Sequence, residues 1–479
     1  MTTTPTRNAL TVSRTLGLAL TTVAVAACSS DQLQITNPNT PTVAAASADP
    51  QALQLQATGL LRQLRNGRGG LIFDFGRFGR EMYIYTPQEG RNTSHYLQGL
   101  TGANKLDPAG FAVGEWGTQY GNLRDIFNLK SSVAASATLT AAQKSAATGF
   151  AKTLEGLELL EVIASRDTLG GVTDIKQNAS DIAPFVSRDS MYKYILNTLD
   201  DGNTALLAGG AAFPFTLHAG FAGFNTPANF AKFNRSIAGK AAAYYATSGG
   251  GAAAWQRSLT ALGASFMNTA ATSRAELDAG PFQPYSGATG DAGNPFFNSS
   301  ADLYLHPSTE TDAPLKADGT KDNRYLAKVK VKVSRGPPAG VTGIASTLGF
   351  VGDASISGSI PIIRNEELLL LRAEALLGTN DAAGSLGIIN QIRVNSGGLA
   401  PSTLTSASPT AAVLTELLLQ KRYSLLLEGA RWVDMRRYNL LNTLPLDASN
   451  HFVAKVMPVP QAECLVRVGK DPALAGPGC

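Results

Sequence analysis

The chain has 479 residues, of which 44% are hydrophobic and 16% charged, and its formal net charge is +4. A charge this close to balance gives no reason to expect nucleic acid or a strongly acidic partner. The length exceeds one typical compact core, although a repeat-like helical assembly can reach it without separate domains.

The N-terminus has the parts of an export signal. Arg7 and Arg14 are the only charges before residue 28, and the apolar run from Leu16 to Ala27 is short for a membrane span. Cys28 follows small residues and resembles the cysteine of a lipobox, which is diacylated; an ordinary signal peptide followed by a cysteine is the alternative. We therefore expect residues 1–27 to be a lipoprotein signal peptide and residues 28–47 to be a lipidated N-terminus and tether. Loss of residues 1–27 removes two arginines and no acid, so the charge falls from +4 to +2.

Two further cysteines, Cys464 and Cys479, lie near the C-terminus. Exported chains meet an oxidising compartment, and a disulfide between these two would stabilise the fold by about 3 kcal/mol in the chain-entropy model. Two free thiols are the alternative, and we favour the disulfide.

Helix starts recur along the chain. Each combines a capping side chain with proline in the first turn or with a glutamine three residues later, and each precedes an apolar stripe of helical period. They lie at Asp49-Pro50, Thr140 with Gln143, and Thr226-Pro227.

Two places indicate helical hairpins with small residues where the helices would meet. The first pairs residues 228–246 with 252–267, and the second pairs residues 365–377 with 382–395. Both have the size of a tetratricopeptide-like unit. The sequence therefore predicts a mostly α fold, made of degenerate tetratricopeptide-like hairpins with long irregular loops and little β.

Two regions lack a helical period. Residues 66–113 mix glycine, aromatic residues and arginine, and residues 278–359 are rich in glycine, proline, serine and aspartate. Within the second, the alternating stretch Tyr325 to Val333 predicts a strand with lysines on its wet face. The aromatic content argues against disorder, so we expect the ligand site in these two regions.

The C-terminal segment, residues 361–438, holds three apolar helices that end in a dense group of arginine, glutamate, aspartate and tryptophan. It closely resembles the C-terminal signature of the SusD/RagB family, and weaker similarities occur in family order along almost the whole mature chain. The matching motifs are Asp31 to Pro38, Trp116 to Tyr120 with Asn128, Arg188 to Asp200, Arg235 to Ala246, Ile362 to Ala375, Glu428 to Arg437, and Met457 to Glu463. The family's closing Asn-Pro-Gly-Tyr is absent, and Gly476 to Cys479 stands in its place.

The resemblance implies a nutrient-binding lipoprotein of the outer membrane, exposed at the cell surface. Such a protein captures glycans or peptides and delivers them to a SusC-type TonB-dependent transporter, with no catalysis and no cofactor. A surface scaffold that binds only other proteins is the alternative, and a surface glycoside hydrolase is a weaker one because the acids suggest no pair across a cleft. The four histidines are isolated and lack metal-ligand spacing.

Candidate ligand contacts come from the two irregular regions, since aromatic faces stack on sugar rings and polar side chains bind hydroxyls. An aromatic residue in a loop can equally anchor that loop to the scaffold. The candidates are Tyr83, Tyr85, Arg91, Asn92, His95, Tyr96, Phe282, Tyr285, Phe296, Phe297 and Tyr304. By contrast, we expect the signature segment to be scaffold, with Trp116, Trp255 and Trp432 in the core and the charges of residues 428–437 in structural ion pairs.

Overall fold

Helices make up most of the computed structural model, which describes residues 42–99, 106–178 and 180–477. In the first part of the chain they are α1 (Val43–Ala48), α2 (Pro50–Phe78), α3 (Arg91–Leu97), α4 (Trp116–Ala135), α5 (Ala141–Arg166), α6 (Arg188–Leu207), α7 (Pro227–Tyr245) and α8 (Gly251–Gly263). In the second they are α9 (Arg274–Asp278), α10 (Pro295–Asn298), α11 (Ser308–Thr311), α12 (Asn323–Lys328), α13 (Asn365–Gly378), α14 (Ala382–Asn395), α15 (Thr410–Ser424), α16 (Arg431–Arg437) and α17 (Gln461–Leu465). The mostly α prediction is confirmed.

Six short strands accompany the helices. They are β1 (Met82–Ile84), β2 (Phe282–Gln283), β3 (Leu303–Leu305), β4 (Val329–Arg335), β5 (Ser346–Phe350) and β6 (Ile360–Pro361), counted over the described ranges. All pair antiparallel, as β1 with β3, β2 with β6, and β4 with β5. The first two pairs tie segments that are far apart in the sequence.

The predicted helix starts are confirmed. Asp49 accepts a hydrogen bond from the Gln51 amide at 2.9 Å, and Thr140 and Gln143 form a reciprocal capping box.

None of the helices within residues 42–99, 106–178 and 180–477 has the length and apolar character needed to cross a membrane.

Both predicted hairpins are present, as α7 with α8 and α13 with α14. In the first, a Cβ added at Gly239 would lie 2.7 Å from the Leu262 side chain, so glycine is what lets the two helices approach. The three tryptophans lie in the core as expected, and Trp432 donates to the Ala454 carbonyl at 2.7 Å.

The tether and the first irregular region are both shorter than predicted. Residues 43–47 belong to α1, which begins at the Thr42 cap and packs against α2 and α4. Residues 66–78 continue α2, although they contain several glycines. The glycines serve close packing and not turns, because a Cβ at Gly69 would lie 2.8 Å from Pro295 Cγ.

The second irregular region contains several short elements, and one of them was predicted with the wrong orientation. Tyr325 to Lys328 is helical, and the strand begins at Val329. On that strand Val331 and Val333 are 85% and 87% exposed, whereas the Lys332 ammonium donates to the Leu303 carbonyl at 2.9 Å and lies 4.0 Å from the Tyr304 ring centroid. The expectation of lysines on the wet face was therefore wrong, because long lysine stems let their ammonium groups reach buried acceptors.

Several predictions fall outside the described residues. Cys28, the signal peptide, most of the tether and Cys479 are among them. Cys464 is disulfide-bonded, and its pairing with Cys479 stays a prediction.

Candidate functional site

Three of the candidate tyrosines, Tyr83, Tyr85 and Tyr304, join the two irregular regions in a buried cluster. Tyr83 on β1 stands opposite Tyr304 on β3, and the Tyr85 ring lies 5.8 Å from that of Tyr304. The Tyr83 hydroxyl donates to the Asp447 carboxylate, and the Tyr85 hydroxyl donates to the Ile344 carbonyl at 2.7 Å. All three rings are buried, so they anchor the loops and offer no free face to a ligand.

Three more candidates, Tyr96, Tyr285 and Phe296, are also buried. The Tyr96 hydroxyl donates to Asp74 at 2.8 Å, and the Tyr285 hydroxyl donates to the Arg65 carbonyl at 3.1 Å. Phe296 packs against other rings in the core. These three residues act as anchors as well.

The polar candidates of the first region share helix α3. Arg91 pairs with Glu89 at 2.5 Å and lies over the Phe111 ring, and His95 accepts a hydrogen bond from the Phe111 amide at 3.2 Å. Asn92 donates to Thr86 at 3.1 Å. Their hydrogen bonds hold the local chain, and a ligand role for them stays a prediction.

The candidate Phe282 lines a cleft with a volume of about 610 Å³. Phe297, by comparison, is 38% exposed on α10 and is not part of that lining. The lining residues come from α9, β2, α12, β6, the start of α13 and the end of α14; they are Arg274, Asp278, Gly280, Phe282, Asn323, Arg324, Ala327, Lys328, Ser359, Pro361, Arg364, Asn395, Ser396 and Glu428.

Backbone pairing places Phe282 at this cleft. Phe282 on β2 is the register partner of Pro361 on β6, which leads directly into α13. Gly280 allows this approach, since a Cβ there would lie 2.3 Å from the Ile363 carbonyl oxygen. The second irregular region and the signature segment therefore build one site together.

The buried part of the lining is a network of ion pairs centred on Arg364. Its guanidinium donates to Glu428 with Nη2 2.9 Å from Oε1, and it also contacts Glu366 and the Ser424 carbonyl. Burial by itself would lower the pKa of Arg364, but Glu428 and Glu366 outweigh burial and hold that pKa well above its usual value. Burial would likewise raise the pKa of Glu366, yet Arg364 and Arg274 hold it well below its usual value. These groups are charged at neutral pH.

Helix α12 also contributes to the lining. Lys328 donates to the Tyr423 carbonyl at 3.2 Å and lies 3.4 Å from Glu428. Burial lowers the pKa of Lys328, and Glu428 counteracts this effect. Arg324 is bound by Asp322 and donates to the Gln420 side chain at 2.6 Å.

The accessible groups of the cleft are an aromatic ring and several small polar side chains. Phe282 is partly exposed, and Asn323 and Ser359 are exposed. The side chains of Arg274 and Asp278 are 47% and 50% exposed and pair with each other at 2.7 Å. A ring face beside amide, hydroxyl and carboxylate groups can bind a polar ligand that has an apolar face.

Sequence reasoning found Phe282 and missed the rest of this lining. We expected residues 361–438 to lie away from the ligand, but Pro361, Arg364, Asn395, Ser396 and Glu428 line the cleft. The sequence signal that could have indicated these residues is the group of charged residues at each end of the signature segment. The partners of these charged residues are set only by tertiary contacts.

Within residues 42–99, 106–178 and 180–477, no group of three or more histidine, cysteine, aspartate or glutamate side chains could hold a metal ion.

The fold and the cleft together define a scaffold of helical hairpins with a cleft between its short helices and strands. Residues 348–463 match the family model described as the SusD family. The C-terminal segment is therefore similar to the SusD family. No curated protein matches the sequence.

Several solved structures share the fold at low sequence identity. A SusD superfamily protein from Bacteroides vulgatus has 14% identity and a TM-score of 0.66, with 90% of this chain and 99% of that chain covered. NanU of B. fragilis has 14% identity and a TM-score of 0.63, with 88% and 95% covered. Surface glycan-binding protein A from Bacteroides thetaiotaomicron, in complex with laminarihexaose, has 11% identity and a TM-score of 0.64, with 88% and 98% covered.

Proposed function

We propose that this protein is a surface lipoprotein that binds an oligosaccharide in the cleft beside Phe282 and performs no chemistry on it. The observation that carries the proposal is the composition of the cleft: a partly exposed phenylalanine lies beside the side chains of Asn323, Ser359, Arg274 and Asp278. A sugar ring has an apolar face that stacks on an aromatic ring, while its hydroxyls bond to such polar groups.

The family supports the same proposal. One protein of this fold, surface glycan-binding protein A, was solved with laminarihexaose. A peptide is the second candidate ligand, because the paired Arg274 and Asp278 could also hold backbone amide and carbonyl groups. Binding to other proteins through the helical scaffold remains a third candidate.

We infer that the protein is anchored through Cys28 to the outer membrane, exposed at the cell surface, and delivers its ligand to a SusC-type TonB-dependent transporter. The sequence features that support anchoring are Arg7, Arg14, the apolar run to Ala27 and the cysteine that follows it. Two or more acyl chains hold a protein at a bilayer far better than one chain does. Cys28→Ala should release the protein from the outer-membrane fraction and abolish metabolic labelling by palmitate.

Calorimetry on protein that lacks residues 1–27 tests ligand binding. We expect heat of binding with oligosaccharides, no loss of the sugar by chromatography after long incubation, and no binding of a random peptide library. Turnover of the sugar would contradict a purely binding role, and selective peptide binding would favour a peptide as the ligand.

Affinity purification from outer membranes tests the delivery step. It should recover a TonB-dependent transporter, and the absence of this transporter would contradict delivery.

A further inference from the structure

Every cation that lines the cleft, within the part of the chain that the structure describes, already has a carboxylate partner. Arg274 pairs with Asp278 at 2.7 Å and with Glu366 at 2.5 Å. Arg364 pairs with Glu428 at 2.9 Å, and Lys328 lies 3.4 Å from the same carboxylate. Three cations thus face three carboxylates, and the cleft has no net charge from this network.

The remaining charged groups nearby follow the same pattern. Arg324 is paired with Asp322, and both side chains are almost fully buried. At the outer edge of the cleft, Lys316 donates to Asn323 at 3.0 Å and lies near Asp318. Each arginine and lysine of the lining therefore already has a carboxylate partner, with which an anionic ligand would have to compete.

A ligand carboxylate would also meet unfavourable charges. Asp278 is half exposed, and Glu428 is part of the lining. An acidic sugar would have to displace Asp278 from Arg274, or sit beside both carboxylates without a counter-ion. A neutral sugar needs neither change, because its hydroxyls can bond to Asp278, Arg274 and Asn323 while the ion pairs stay intact.

We propose that the cleft selects neutral oligosaccharides over acidic ones, with Asp278 as the residue that sets this preference. The inference rests on the proposed function and narrows it to one chemical class of glycan. The neutral ligand should bind with an affinity that changes little with salt, because no new ion pair forms.

The test compares a glycan array of neutral oligosaccharides, including laminarihexaose, with uronate-containing ones such as hexagalacturonate, followed by calorimetry of the hits. Wild-type protein should bind a neutral probe and show weaker or no binding of the uronates. Asp278→Asn leaves Arg274 with one carboxylate fewer, so the ratio of acidic to neutral affinity should rise about fivefold. Asp201→Asn removes the same charge from the exposed pair that Asp201 on α6 forms with Lys152 on α5, away from the cleft lining, and should leave the ratio unchanged.

The outcomes separate the two proposals. If wild-type protein prefers the uronates, or if Asp278→Asn leaves the ratio unchanged, the inference about charge is overturned while glycan binding stands. If neither class binds, the proposed function fails and the inference fails with it. If a neutral probe binds equally well to Phe282→Ala, the sugar binds elsewhere and the role of this cleft is overturned.

Discussion

Arg364 and Glu428 are 64 residues apart in the sequence, and their side chains form an ion pair in the lining of the cleft, with Nη2 2.9 Å from Oε1. The pair joins the residue before α13 to the turn before α16. It therefore stabilises the scaffold and shapes the candidate site at once. The charged residues of the signature segment have both roles, and separate experiments can distinguish them.

The buried cluster around Glu374 should matter for stability alone. Glu374 pairs with Lys421 at 2.8 Å and with Arg437 at 2.6 Å, and all three side chains are nearly inaccessible. Glu374→Gln should lower the free energy of unfolding by about 3–5 kcal/mol, because it leaves buried cations undercompensated. Asp201→Asn in an exposed pair should change it by less than about 1 kcal/mol. Urea unfolding followed by circular dichroism measures both, and equal effects would contradict the structural role.

The Glu374 carboxylate should also make the free energy of unfolding depend on pH in the acid range. Burial would raise the pKa of Glu374, but Arg437 and Lys421 outweigh it and lower the pKa to about 2. A depressed folded-state pKa contributes stability that is present above the unfolded pKa of about 4.3 and is lost as the pH falls toward 2. The difference in unfolding free energy between wild type and Glu374→Gln should therefore shrink between about pH 5 and pH 2. A constant difference across this range would contradict the assignment.

Glu81 should make the free energy of unfolding depend on pH in the opposite direction. Burial raises the pKa of Glu81 to about 7, against the lowering influence of Arg431 and Arg422. A raised folded-state pKa means that stability is lost as the pH rises from about 4.3 through 7, by about 4 kcal/mol in total. We therefore expect the unfolding free energy of Glu81→Gln, relative to that of wild type, to be higher at pH 8 than at pH 4. Urea unfolding at both pH values measures this difference. A difference that is the same at both pH values would refute this.

Two phenylalanines of the second irregular region offer a matched pair for ligand binding. Phe282 lines the cleft, whereas Phe297 is exposed on α10 outside the lining. Phe282→Ala should weaken oligosaccharide binding about tenfold, because the stacking face and its apolar area are lost. Phe297→Ala should leave the dissociation constant unchanged in the same calorimetric titration. The reverse result would place the ligand on α10.

Two helical glycines should respond in opposite ways to alanine. A Cβ at Gly149 on α5 would lie 2.6 Å from the Leu206 side chain and 2.8 Å from the Gly202 carbonyl oxygen, whereas a Cβ at Gly121 on α4 would meet nothing within 4 Å. Gly149→Ala should destabilise the protein by about 1–3 kcal/mol, since the backbone of α6 must move. Gly121→Ala should stabilise it by about 0.5–1 kcal/mol through the lower conformational entropy of the unfolded chain. Thermal melts of the two variants test the signs directly.

Local features of the structure could be predicted from the sequence. Asp49, Thr140 and Thr226 each mark a helix start because capping depends on a side chain and an amide two or three residues away. The glycines of residues 66–78 misled the prediction, since their role is close packing against other segments; Gly69, for example, lets Pro295 approach from more than two hundred residues later in the chain. The lysines of β4 misled it for the same reason, because their acceptors lie on a distant segment.

The sequence by itself indicated the resemblance to the SusD/RagB family and determined the mostly helical fold and the two hairpins, because these depend on residues close together in the chain. Only the tertiary structure decided which aromatic residues are anchors: Tyr83, Tyr85 and Tyr304 became buried when β1 paired with β3. It also decided that Phe282 lies beside Arg364 and Glu428, since contacts between distant segments set both burial and charge pairing. The segment that matches the SusD family model therefore forms part of the candidate binding site, because the fold places it against the second irregular region.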